Sequence, residues 1–216
     1  SGVEWIEDIP EEWHVRKLKS LCDLITDGSH FSPMRKDHGF PMASVENIKN
    51  NRVNIETCHK ITKEDFENLI TNGCKPEKND ILFTKDGTIG YSIIYQQDNE
   101  IVLLSSVAII RNKISELNPI FCKFFLDSIQ IQIQIGYDSH GSALQRLVLK
   151  QIKNFIFLVP SINEQKQIAE FLDSQTSKID KLISKAELQI KILQEYRQSL
   201  ISSAVTGKID VRESIA

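Results

Sequence analysis

Apolar residues obey one rule over the C-terminal stretch of this chain and another before it. From Ser161 onward they recur at Ile168, Leu172, Ile179, Ile183, Ala186, Ile190, Leu193, Leu200 and Ala204. Those steps of three, four or their sum place them on one stripe of an α-helix, which Gln175 and Arg197 interrupt. Ser161 followed by Glu164 reads as a capping box, Gly207 reads as the stop, and no Pro or Gly intervenes. At about 1.5 Å per residue, roughly 45 residues make a rod on the order of 65 Å long. A helix of this kind either folds back over its own globular part or meets a second helix. Length favours the second helix, and an inserted step of four between Gln175 and Ile183 would locally relax the supercoil of such a pair.

Before Pro160 the apolar runs are short and broken by turn residues. Pro10 makes the lead-in from Trp5 to Trp13 extended, with two large rings as anchors. Leu18, Leu21, Cys22 and Ile25 form a helical or strand-like run that ends in the polar loop Thr26-Asp27-Gly28-Ser29-His30, which continues through Arg35 and Lys36. Strands are predicted over 40–48, 53–55, 80–84, 91–95, 101–111 and 155–159, with turns at Asn50-Asn51 and Asp98-Asn99. Thr62 with Asp65 caps a short helix, and Asn118-Pro119 opens another. Between Ile129 and Ile135, Ile and Gln alternate strictly; the period says strand, yet the preceding helix pattern runs into it, and helix is the preferred reading. Together these elements predict an α+β fold, a globular part with a twisted, mainly antiparallel sheet followed by one long coiled-coil-forming helix. The expected divisions are 1–160, the helix 161–207 and a tail 208–216.

Charge changes the picture little. The chain has 26 Lys and Arg against 29 Asp and Glu, a net charge of -3. No basic footprint announces nucleic acid. Cys22, Cys58, Cys74 and Cys122 are widely spaced and the five His fall into no ligand-like pattern, so packed, reduced thiols and no metal are expected. No secretory or membrane-length apolar run occurs, which predicts a soluble, cytoplasmic protein. Asp86-Gly87-Thr88-Ile89-Gly90 is wrongly spaced for a phosphate-binding P-loop. Asn118-Pro119-Ile120-Phe121 is similar to the N-P-P-F of amino-methyltransferases but lacks the second Pro and any glycine-rich cofactor turn. No nuclease carboxylates and no Ser-His-Asp order stand out, so neither a cofactor nor an enzymatic activity is expected.

Several stretches, in their order, carry a family likeness. They are the lead-in Trp5 to Trp13; Thr26-Asp27-Gly28-Ser29-His30; Asp80-Ile81-Leu82 running into Asp86-Gly87-Thr88-Ile89-Gly90; Gly141-Ser142-Ala143; Pro160 to Gln165 with the following helix; and Val205-Thr206-Gly207-Lys208-Ile209-Asp210. The chain resembles the specificity subunit of type I restriction-modification systems over nearly all its length. That resemblance implies a target recognition domain reading half of a bipartite site in double-stranded DNA. It also implies a helix that spaces such domains and docks modification subunits and, through them, restriction subunits. The usual subunit has two such domains and two such helices, so this chain is similar to a half subunit, natural or cut from a longer parent. Two copies pairing antiparallel through the helix would restore the two-domain arrangement.

On this reading Arg35, Lys36, Lys49, Arg52 and Lys85 are candidates for phosphate contact, and Ser29, His30, Thr88, Tyr137, Ser139 and Gln145 for base edges. Ile168, Leu172, Ile179, Ile183, Ala186, Ile190, Leu193 and Leu200 would line the helix seam. A competing expectation is a scaffold protein that acts through its helix and binds no DNA.

Overall fold

The computed structural model describes residues 8–137 and 146–210. Trp5, Ser139, Gln145, the Gly141-Ser142-Ala143 motif and the end of the expected tail lie outside the described residues. The chain divides into two compact units, 1–169 and 170–216.

In chain order the first unit begins with strands β1 (His14–Lys17), β2 (Cys22–Asp27), β3 (Phe40–Ala43), β4 (Ile48–Lys49), β5 (Arg52–Val53) and β6 (His59–Ile61). Helix α1 (Lys63–Thr71) leads to β7 (Ile81–Thr84), β8 (Ser92–Ile94), β9 (Val102–Leu103) and β10 (Val107–Asn112). Helices α2 (Pro119–Leu126), α3 (Ile129–Tyr137) and α4 (Leu149–Lys153), strand β11 (Ile156–Val159) and the start of α5 (Ile162–Val205) complete it.

The centre is an antiparallel sheet in the order β2-β10-β7-β8. Its period of two is used on both faces. Ile81, Phe83, Ala108 and Ile110 pack with Leu21, Phe121, Ile131, Ile152 and Phe157. On the other face Leu82, Ile93, Val107 and Ile109 pack with Ala43, Ile48, Val53 and Leu103. Around it lie the antiparallel pair β1-β11, the hairpin β4-β5 and the sheet β6-β3-β9. In this last sheet β3 runs parallel to β9, the one departure from antiparallel pairing among the described strands.

The caps act as the residues suggest. Thr62 Oγ1 accepts from the Asp65 N–H at 3.1 Å, and Asn118 Oδ1 accepts from Ile120 and Phe121. At the start of α5 half of the expected box forms: Ser161 Oγ accepts from the Glu164 N–H at 3.3 Å, while the Glu164 carboxylate accepts from Trp13 Nε1. Gly207, at φ 70°, ends the helix, with Lys208 N–H donating to Ser203 O and Gly207 N–H to Ala204 O, the Schellman pattern.

The residues from Ile129 to Tyr137 are helical, because Ile131 and Ile135, four apart, reach the core while Ile129 stays exposed. Gln134 brackets the backbone of Ile156 instead, accepting from its N–H at 2.7 Å and donating to its carbonyl at 3.1 Å. Three predicted strands differ from expectation. The run from Phe40 to Ile48 breaks after Ala43 into a single tight turn, which Asn47 Oδ1 holds by accepting from the Ser44 N–H at 2.8 Å. The run from Ile101 to Arg111 is two strands, broken by a turn at Ser105-Ser106. Strand β5 stops at Val53.

The first two turns of α5 belong to the first unit. Gln165 is fully buried, accepting from the Asn118 N–H and donating to the carbonyls of Glu116 and Pro160; Ala169 is core and Ile168 packs beside it. In the second unit Ile179, Ile183, Ile190, Leu193 and Leu200 are all about half exposed or more. Ala186 is exposed as well, and Leu172 is partly buried. Among the described residues no helix is long and apolar enough to cross a membrane.

Candidate nucleic-acid interface

One end of the central sheet collects the loops. Strands β2 and β7 finish there at Asp27 and Thr84, and β10 and β8 begin there at Val107 and Ser92. Hydrogen bonds tie the connections together. Ser29 N–H donates to Leu103 O and Ser105 N–H to Ser29 O; Lys85 N–H donates to Ser106 O, and Val45 N–H to Ser106 Oγ. Leu147 N–H donates to Lys85 O, bringing the chain after residue 145 to the same end.

Gly28 is required by close approach: a Cβ there would lie 2.2 Å from the Leu103 carbonyl oxygen. The hairpin β4-β5 turns through Asn50 and Asn51, both at positive φ, as a tight hairpin turn needs. It docks on the loop after β7 through Asn51 N–H, which donates to the Tyr91 hydroxyl at 3.0 Å. Between them lies a cleft of about 610 Å³, lined by Val45, Ile48, Lys49, Gly87, Thr88 and Tyr91.

The candidate side chains fare differently. His30 is exposed, its Nε2 3.3 Å from Asp27 Oδ2. Arg35, Lys36, Lys49 and Arg52 are exposed and none makes an ion pair with a described carboxylate. Lys49 and Arg52 stand directly opposite each other across the hairpin. Thr88 is exposed at the loop tip, where its carbonyl accepts from Thr84 Oγ1.

Two candidates face inward. Lys85 is 3% exposed, with Nζ 3.1 Å from Asp27 Oδ2, so it joins β7 to β2 and offers no cation to a phosphate in this conformation. Ser29 is buried and its hydroxyl is used locally, donating to Phe31 O at 2.6 Å and accepting from the Phe31 N–H at 3.1 Å. Tyr137 is the last residue of α3.

Sequence reasoning misses Arg146, whose Nε lies 2.9 Å from Asp86 Oδ1, and Tyr91, which seats the hairpin. Neither carries a local signal, since each is defined by a partner distant in sequence. All four thiols are buried and unpaired. Among the described residues no group of three or more His, Cys, Asp or Glu is arranged to hold a metal.

Comparison with known proteins places this architecture. Residues 10–192 match the family model described as type I restriction modification DNA specificity domain. The chain therefore belongs to that family. It is 29% identical over 212 residues to the EcoBI specificity subunit of Escherichia coli, covering 93% of this chain and 43% of that protein. It is 24% identical to the MjaVIII specificity subunit of Methanocaldococcus jannaschii, covering 96% and 48%. The chain thus spans about half the length of the curated relatives it matches.

Solved structures share the fold. A chain from work on complex assembly and conformational transition of the type I R-M system superposes with TM-score 0.69 at 16% identity, over 94% of this chain and 48% of that one. The HsdS subunit from Thermoanaerobacter tengcongensis gives 0.58 at 16%, over 81% and 40%.

Proposed function

We propose that this chain is a non-catalytic DNA-reading module of a type I restriction-modification complex, corresponding to half of a specificity subunit. Its first unit is the target recognition domain and reads one half of a bipartite site in double-stranded DNA. The observation that carries this reading is the Lys49–Arg52 pair, two cations directly opposite on a hairpin, neither in an ion pair with a described carboxylate. Like charges in that position repel, and a phosphate between them relieves the repulsion. The surrounding loop end holds His30, Arg35, Lys36 and Thr88 within reach of the same duplex.

The exposed stripe of α5 supports a role as spacer. Two copies, or two halves of a longer chain, pair these stripes antiparallel, and the modification subunits dock on the paired helices and bring the restriction subunits with them. Two-fold pairing favours inverted half-sites. At a net charge of -3, modification subunits supply further basic surface for the duplex, and the assembly works in the cytoplasm. The test is selection from a random DNA pool by the chain assembled with its modification subunit. Enrichment of a defined bipartite sequence supports the reading; a pool left unchanged refutes it.

A further inference from the structure

The loop between β2 and β3 places two large apolar side chains in water. Phe31 is 68% exposed and Met34 75%, whereas Pro33 between them is buried. The backbone that carries them is pinned on both sides. On one side Ser29 is held by Leu103 and Ser105 and its hydroxyl brackets Phe31; on the other, Lys36 N–H donates to Lys60 O at 2.9 Å. The two side chains are thus presented by a tethered loop, and neither is a core residue.

Cations flank the second tip. Arg35 and Lys36 follow Met34, and Lys36 Nζ lies 4.0 Å from the Met34 sulfur. Asp37 is the single acidic residue between Gly28 and Gly39. An apolar protein surface would satisfy Phe31 and Met34 and leave Arg35 and Lys36 without an anion. A nucleic-acid groove satisfies both, because its phosphate rails flank base steps whose apolar faces an inserted side chain can reach by parting them. Resting on the DNA-reading role proposed above, we infer that Phe31 and Met34 form an apolar wedge that enters a groove of the duplex and unstacks one base step while Arg35 and Lys36 hold the flanking phosphates. The loop that carries the wedge leaves from the end of the central sheet, where Leu103 and Ser105 hold Ser29. Specificity therefore includes how easily that step opens, in addition to which base edges are read.

The test uses the chain assembled with its modification subunit and duplexes of the sequence it selects, carrying 2-aminopurine at one position at a time. The wild type is expected to brighten the probe at one step apart from the methylated base, which a methyltransferase itself unstacks. The Phe31→Ala/Met34→Ala variant should lose that signal, bind roughly tenfold or more weakly, and keep its preference at the directly read bases while losing it at the opened step. Wild type with no such bright step, or a variant that keeps it, overturns the wedge while leaving DNA reading intact. Loss of the modification subunit from the variant complex overturns it in favour of a protein contact. If the wild type selects no sequence, the underlying reading fails with it.

Discussion

The Lys85 ammonium lies 3.1 Å from the Asp27 carboxylate, with side chains 3% and 10% exposed, and this pair closes the loop end of the central sheet. Removing Lys85 leaves the largely buried Asp27 carboxylate with the exposed His30 imidazole, 3.3 Å away, as its remaining described ion-pair partner. Lys85→Met should therefore destabilise the fold by about 3 to 5 kcal/mol, as breaking a buried pair does. Urea unfolding measures this. A midpoint unchanged from wild type would mean that the pair is solvated.

The exposed cations should behave in the opposite way. Lys49→Ala and Arg52→Ala should each leave stability within about 0.5 kcal/mol of wild type. Each should also lower the dependence of DNA affinity on salt by about one unit of slope. Titration of the complex with its selected duplex at several salt concentrations separates the two classes of cation.

Gly28→Ala tests the anchoring of the Ser29 loop. A Cβ would lie 2.2 Å from Leu103 O and 2.5 Å from Leu104 O, both backbone atoms, so the loop must move. Stability should fall by about 1 to 3 kcal/mol, a usual cost of overpacking. DNA binding should weaken beyond that loss, since His30 and Phe31 move with the Ser29 end of the loop. Ala at exposed Gly136, where no atom of the described residues lies within 4 Å of the added carbon, is the control.

Much of the fold is legible in the amino-acid order alone. The stripe of α5, its Gly207 stop, the caps at Thr62 and Asn118 and the Asn50-Asn51 turn are local signals, set by spacing along the chain. The Lys85 pairing is not, because a lysine just past a strand reads like any loop cation until β2 is laid beside β10 and β7. For the same reason the parallel contact of β3 with β9 and the seating of Asn51 on Tyr91 are out of reach of local patterns. Ile168 has the spacing of a seam residue, but its neighbours in the first unit supply a closer apolar surface.

Alkaline pH should weaken the fold. Burial, with the charge of Asp23 adding to it, pushes the Cys22 thiol from about 9 up to about 12. Burial likewise takes Cys58 to about 11 and, with nearby carboxylates, Tyr95 to about 12. The folded state holds these protons more tightly than the unfolded one, so the contribution is fully present below about pH 9 and is lost as pH rises toward 12. The urea midpoint should be flat up to about pH 8.5 as far as these groups are concerned and should fall above about pH 9. Ellman's reagent should label the native thiols slowly at about pH 8 and quickly once urea unfolds the chain.

The helix seam has its own test. Ile183→Asp combined with Ile190→Asp places charge in the proposed seam and should convert a pair of chains into monomers with unchanged helicity. A sedimentation mass that does not move counts against pairing through this stripe.

The most direct measurement maps methylated adenines in DNA from cells that carry this chain with its modification subunit as the sole specificity component. Methylation is expected to be confined to a bipartite sequence whose half-sites are inverted copies at a fixed spacing. Methylation without sequence preference, or unchanged when this chain is deleted, would contradict it.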